Sequence, residues 1–182
     1  MQQIKDVLDY EPATGIFRWK KPTSNRNKVG GGAGTISNGY VSITVLGQRI
    51  YAHRLAFWWV HGRWPREVDH INRNRLDNRR SNLRLATDGE NARNCKRNTR
   101  NTSGYKGVHF YDRARRWGAS VVLNGRAYWM GLFDTAEQAA FAYDFAATAL
   151  HGEFAATNFQ LSKATKDHAP EFRAFLMAEK AG

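Results

Sequence analysis

A chain of 182 residues suffices for one ordinary domain or two small ones, and with 42% hydrophobic residues it should fold rather than stay disordered. Its 28 Lys and Arg against 16 Asp and Glu give a formal net charge of +12. That self-repelling balance points to a polyanionic partner, nucleic acid above all, since each neutralised phosphate releases condensed counterions. A single cysteine, Cys95, excludes an intrachain disulfide framework and a Cys-based structural zinc. No apolar run reaches membrane-spanning length and MQQIKDVLDY has no signal-peptide core, so a cytoplasmic protein with no membrane partner is expected.

In chain order, residues 1–66 read as a sheet-and-helix arm. A short helix-like opening is followed by GIFRW, which alternates apolar and polar positions, and by a Gly- and basic-rich loop from about Lys20 to Gly34. YVSITVL and QRIYA, joined across Leu46-Gly47-Gln48, read as a β-hairpin, and AHRLAFWWVHG as an amphipathic helix stopped by Gly62 and Pro65. Residues 67–98 predict strand–loop–strand–helix. Glu67 to Ile71 is the first strand, Asn72 to Ser81 a polar loop and Asn82 to Ala86 the second strand. A Thr87–Glu90 capping box then opens a helix running toward Arg97. Almost nothing in residues 93–104 is apolar, which predicts a basic linker, placed at 99–103. Residues 104–160 hold three strand-like runs, GYKGVHFY, RWGASVVL and RAYWMGLF, with a turn at Asn124-Gly125. An alanine-rich helix follows, opened by a Thr135–Gln138 capping box and closed near His151-Gly152. The tail, 161–182, predicts a packing helix with Phe172, Phe175 and Leu176 on one side.

The chemistry concentrates in VDHINRNRLDNRRSNLRLATDGENARN, Val68 to Asn94. The strand–loop–strand–helix order brings Asp69 and His70 near Asn91. A carboxylate and an amide oxygen are hard ligands suited to Mg²⁺, and an imidazole titrates close enough to neutrality to take a proton from an attacking water. The bland alternative is a polar, Asn-rich loop with an incidental histidine.

This stretch resembles the HNH nuclease motif in the HNN form of phage-type homing endonucleases, through Asp69-His70, Asn82-Leu83-Arg84 and Asn91. The upstream His53-Arg54-Leu55-Ala56 extends the resemblance over about residues 8–98. The resemblance implies His70 as general base, Asp69 and Asn91 as metal ligands, and Asn82 as the residue that pins the loop so that His70 points correctly. Asn78 competes for that middle position. The third position is Asn, so no two-histidine metal scheme is implied. The expected cofactor is Mg²⁺ or another divalent cation such as Mn²⁺, with no structural zinc. Arg54, Arg73, Arg75, Arg79, Arg80 and Arg84 are assigned to DNA. His53 reads as structural or phosphate-contacting, and Trp58, Trp59 and Trp64 as packing aromatics.

Residues 104–159 resemble the plant ethylene-response-factor (APETALA-type) DNA-binding domain. The resemblance runs through Gly104-Tyr105, Gly107-Val108, Arg116-Trp117, Trp129 before Gly131, Phe133-Asp134-Thr135, Ala142-Tyr143-Asp144 and Thr157-Asn158-Phe159. It implies a three-stranded antiparallel sheet set in the major groove. The implied DNA-facing residues are Lys106, His109, Arg113, Arg115, Trp117, Arg126 and Tyr128, with Trp129 and Phe133 in the core. Lys106 and His109 stand where arginines are usual, and Ser120 and Val122 where charged residues are usual, so the plant sequence preference is not carried over.

The resulting expectation is an α+β chain: a ββα-metal nuclease core, then a three-stranded antiparallel sheet plus helix. It would cleave double-stranded DNA in a bacterial host cytoplasm if phage-encoded, act as a monomer by default and take no small-molecule substrate. The alternative is a non-catalytic DNA-binding transcriptional regulator derived from the same family.

Overall fold

The computed structural model describes residues 2–21, 24, 27–95 and 101–178. The chain divides into two compact units, Met1–Asn91 and Ala92–Gly182.

In the first unit, α1 (Gln2–Val7) leads into a hairpin of β1 (Leu8–Glu11) and β2 (Ile16–Trp19). Alternation turns Leu8, Tyr10, Phe17 and Trp19 inward. A three-stranded antiparallel sheet follows, β3 (Thr35–Ser37), β4 (Tyr40–Val45) and β5 (Gln48–Tyr51), with β4 central. Leu46 and Gly47 both take positive φ, 50° and 76°, the backbone that a two-residue hairpin turn requires. α2 (Ala52–His61) ends at Gly62, whose left-handed φ of 70° lets its N–H reach Trp58 O. Two short strands, β6 (Val68–His70) and β7 (Leu83–Leu85), pair antiparallel with Asp69 opposite Arg84 and His70 opposite Leu83. A 3-10 turn, Arg80–Asn82, closes the intervening loop, and α2 packs against both strands and that turn.

Val68 and Leu83 belong to the same hydrophobic cluster as Leu8, Phe17, Ile43 and Leu55, so the arm and the β6–β7 hairpin share one core. α3 (Asp88–Arg93) follows, capped by Thr87 and Glu90, whose side chains each bond the other's backbone N–H (3.3 and 2.7 Å). It ends at Arg93, short of the expected run toward Arg97: Asn94 and Cys95 are no longer helical, and residues 96 and 97 of that run, like 99 and 100 of the expected linker, lie outside the described residues. Trp58 is buried and Trp59 packs against the core, but Trp64 is 41% exposed, with the Arg54 guanidinium 5.4 Å from its ring.

The second unit holds β8 (Val108–Tyr111), β9 (Arg116–Leu123) and β10 (Arg126–Phe133), antiparallel with β9 central, and α4 (Ala136–His151) across one face. Asn124 and Gly125 form the tight turn with positive φ, and Thr135 and Gln138 complete both halves of a capping box. The alanines of α4 let helix and sheet approach closely. Gly107 does the same, since a Cβ there would overlap the Tyr143 ring. α5 (Lys163–Asp167) and α6 (Ala169–Ala178) follow, with Leu176 buried and Phe172 against Phe145, ring centroids 4.7 Å apart. The Phe175 side chain lies outside the described residues.

The sheet register corrects three expectations. Tyr128 pairs with Val121 on the α4 side, is 3% exposed and donates its hydroxyl to Met177 Sδ, so it does not face outward. Trp117, paired with Phe110 and Phe133, packs half-buried against the same core. Trp129, expected in the core, pairs with Ser120 on the opposite face and is 46% exposed. There it meets Tyr111 edge-on at 5.2 Å over Gly118, where any Cβ would overlap both rings.

Candidate active site

β6 ends in three consecutive buried residues, Val68, Asp69 and His70. The loop after it is polar and braces itself. Asn72 Oδ1 accepts from Asn74 N–H and Asn74 Oδ1 from Leu76 N–H, the Asx turns that short amide side chains form readily. Asp77 accepts from Asn72 Nδ2 (2.7 Å) and from both forks of Arg79, which hold its carboxyl down at about 2. Asn82, buried, reaches back into this loop: Oδ1 accepts from Asn72 N–H at 2.9 Å and Nδ2 donates to Asp77 O at 2.8 Å.

His70 is 5% exposed, and its Nε2 lies 3.2 Å from Oδ1 of Asn78, which is itself 3% exposed. In the sequence Asn78 and Asn82 compete for one position. The structure gives them different partners: Asn78 meets the His70 ring, and Asn82 ties the loop ends. Burial lowers the His70 pKa against the raising effects of the Asn78 bond, Asp69 and Asp77, which favours neutral imidazole. His53, at the start of α2, stands 5.1 Å from the His70 ring, edge-on, with Tyr40 and Tyr51 against it. Its Nδ1 is buried with no hydrogen-bond partner. Burial first, then His70 and Arg54, push its pKa down to about 3. The ring is thus packed against Tyr40, Tyr51 and His70, and burial favours its neutral form.

Asp69 accepts two hydrogen bonds from Arg84, at 2.9 and 2.7 Å, both on Oδ2. Arg84 is therefore only 12% exposed and engaged within the fold, which corrects its assignment to DNA. Arg54 likewise donates to Pro65 O and covers Trp64, and Arg79 is clamped on Asp77. Arg73 and Arg75 remain on the exposed rim of the loop, Arg75 4.7 Å over the Tyr40 ring, and Arg80 is half-buried. Asn91 sits in α3, which buries none of its residues. Among the described residues no group of three or more His, Cys, Asp or Glu converges as a metal site.

In the second unit, the ammonium of Lys106 donates to the carbonyls of Arg93 and Cys95, both at 2.8 Å, so this DNA-facing candidate is turned onto its own chain. His109, Arg113, Arg115 and Arg126 are exposed. Among the described residues no helix is long and apolar enough to cross a membrane.

The family model described as HNH endonuclease matches residues 50–93, the span that contains His53, Asp69, His70, Asn78, Asn82 and Asn91. The chain is similar to an uncharacterized HNH endonuclease of Acanthamoeba polyphaga mimivirus, 38% identical over 113 residues, 60% of this chain and 58% of that protein. Thus it spans little more than half the length of that relative. It is also similar to Protein 3.8 of Escherichia phage T7, 36% identical over 88 residues, 48% of this chain and 72% of that protein. A shorter similarity, 46% identity over 61 residues, links it to APETALA2-like protein 2 of Oryza sativa subsp. indica, covering 34% of this chain and 14% of that protein. The histidine at the strand end and its amide-braced loop thus lie within a segment, residues 50–93, that carries an HNH endonuclease domain.

Proposed function

We propose that the chain is a divalent-metal-dependent endonuclease that hydrolyses phosphodiester bonds in double-stranded DNA, with a ββα-metal core formed by β6, β7 and α3. The observation that carries this reading is the placement of His70: buried, held neutral, adjacent to Asp69, and fixed by amide side chains of its own loop. A neutral imidazole is the form that accepts a proton. As water attacks phosphorus and the bond to the leaving oxygen breaks, His70 takes the water's proton. Asn82 keeps the two ends of the loop together, so the ring cannot swing away from the strand end. Asp69 and Asn91 would hold the cation. A carboxylate and an amide oxygen are hard donors that suit Mg²⁺ or Mn²⁺, which keep several waters and bind substrate phosphate, and among the described residues no group of three or more His, Cys, Asp or Glu converges as a metal site. When bound, the ion stabilises charge on the phosphate and the leaving oxygen. Arg84 orients the Asp69 carboxylate from the neighbouring strand.

Targeting falls to the second unit, through the open face of its sheet. His109, Tyr111 and Trp129 share that face by register, with Arg113 in the turn beside them and Arg116 on the same face paired with Asp134 at 2.8 Å. The short similarity to APETALA2-like protein 2 agrees with the resemblance on which this use of the sheet rests. The viral source of two relatives fits a phage-type enzyme, and the HNN form of the motif is the basis for reading it as a homing endonuclease.

Supercoiled plasmid incubated with the full chain and Mg²⁺ is the test. The expected product is nicked circles, lost with chelator; plasmid bound but uncut under every divalent cation supplied would favour the non-catalytic regulator.

A further inference from the structure

We propose that Asn78 is a positioning residue that fixes the tautomer of His70, holding the ring proton on Nε2 so that Nδ1 is the atom that takes up the proton. The inference rests on the reading of His70 as the base and names the nitrogen that acts. The Asn78 side-chain nitrogen donates to Leu76 O at 3.3 Å, which turns Oδ1 toward His70 Nε2 at 3.2 Å. An amide oxygen can only accept, so Nε2 must donate. A neutral imidazole has one N–H, so the lone pair is on Nδ1. His53, edge-on at 5.1 Å, limits rotation of the ring.

Asn78 is held from outside the segment that the HNH family model matches. The Tyr10 hydroxyl donates to its carbonyl at 2.9 Å, and burial pushes that phenol up to about 12, so it keeps its proton at any working pH. Gly15, at φ 75°, lies so close to the Asn78–Arg79 peptide that a Cβ would overlap it. Arg80 N–H donates to Pro12 O at 3.0 Å. Three contacts from residues 10–15 thus seat the stretch that carries Asn78, and the β1–β2 hairpin acts as the brace of the base.

The test is nitrogen NMR of the full chain labelled with ¹⁵N-histidine, without DNA or metal, at a pH where the ring is neutral. It is paired with single-turnover cleavage at saturating enzyme. The wild type should show His70 in the Nε2–H form alone. Asn78→Leu should populate both tautomers and slow cleavage by roughly 10–100-fold with DNA affinity unchanged. Asn78→Asp, which still accepts from Nε2–H, should keep the single tautomer and restore most of the rate. A wild-type proton on Nδ1 would overturn the proposal, as would Asn78→Leu with an unaltered tautomer and rate. Should Asn78→Leu not fold, the wild-type spectrum and the rate of Asn78→Asp decide: a rate as low as that of a base-less enzyme overturns it. The spectrum needs no turnover, so a protein that cuts no DNA would refute the base assignment while the tautomer was still read directly.

Discussion

Each unit buries an aspartate, and the two are held by different chemistry. Asp144, fully buried on α4, accepts from the backbone N–H of Asn158 and Phe159 (both 2.7 Å) and from Asn158 Nδ2 (2.9 Å). Burial raises its pKa against those bonds, and the arrangement staples the segment after α4 onto the helix. Asp69 instead meets a guanidinium across a two-stranded ladder, next to a buried histidine at the strand's end. Neutral backbone donors from one segment make a fastening. A charged partner beside a titratable ring makes a site, because a cation or a phosphate can compete for either group. In the second unit Asp144 fastens one segment to another; in the first Asp69, His70, Asn78 and Asn82 are all buried on one hairpin and its loop.

The largest break in that comparison should come from Asp144→Ala. It leaves three N–H donors of Asn158 and Phe159 without their acceptor, at about 1–3 kcal/mol each. Chemical denaturation should show a loss of roughly 3 kcal/mol or more, while nicking by the protein that remains folded proceeds at the wild-type rate. Unchanged stability would refute the staple.

Next is the pH response of the first unit. His53 is pushed down to about 3 in the folded protein from an ordinary value near 6.5, so the unfolded chain binds the proton first. Its stabilising contribution is therefore complete above about pH 6.5 and is lost as pH falls toward the folded value, roughly 2 kcal/mol by about pH 5. His70 is shifted in the same direction and adds to the slope. His53→Phe should flatten the decline in urea midpoint between neutral pH and pH 5; an equally steep decline would mean that His53 is protonated in the folded state.

A smaller effect separates the two faces of the second sheet. Trp129→Ala should weaken DNA binding by roughly tenfold, as loss of a large aromatic anchor from a contact face does, and leave thermal stability nearly intact. Trp117→Ala should do the reverse, because its ring packs toward α4. Equal loss of affinity in both would mean that the open face is not the contact surface. Asp69→Asn should shift the metal titration of cleavage upward by about tenfold; superimposable titrations would remove Asp69 from the metal's ligands.

Much of this architecture was legible wherever a local rule suffices. The Thr87–Glu90 and Thr135–Gln138 caps, the Gly62 stop and the Asn124-Gly125 turn each depend on a few neighbouring residues, and all are present. The outward face of the second sheet was not legible. A one-residue change of parity exchanges Tyr128 with Trp129, and only the pairing of Tyr128 with Val121 sets it. β1 was hidden because four residues alternate too briefly to be told from a helix end. In the site, Asp69 and His70 stood out by motif, but Asn78 and Asn82 are both loop amides in the sequence. Their separate roles depend on the path of the loop through the 3-10 turn and on Tyr10 and Gly15, more than sixty residues upstream.

In the proposed reaction the buried histidine at the end of β6 performs the chemistry. The direct measurement is single-turnover cleavage by His70→Ala at saturating enzyme and Mg²⁺, with DNA affinity measured in parallel. The expected rate is lower by about 10²–10⁴ with affinity within about twofold of wild type; cleavage at the wild-type rate would remove His70 from the chemistry.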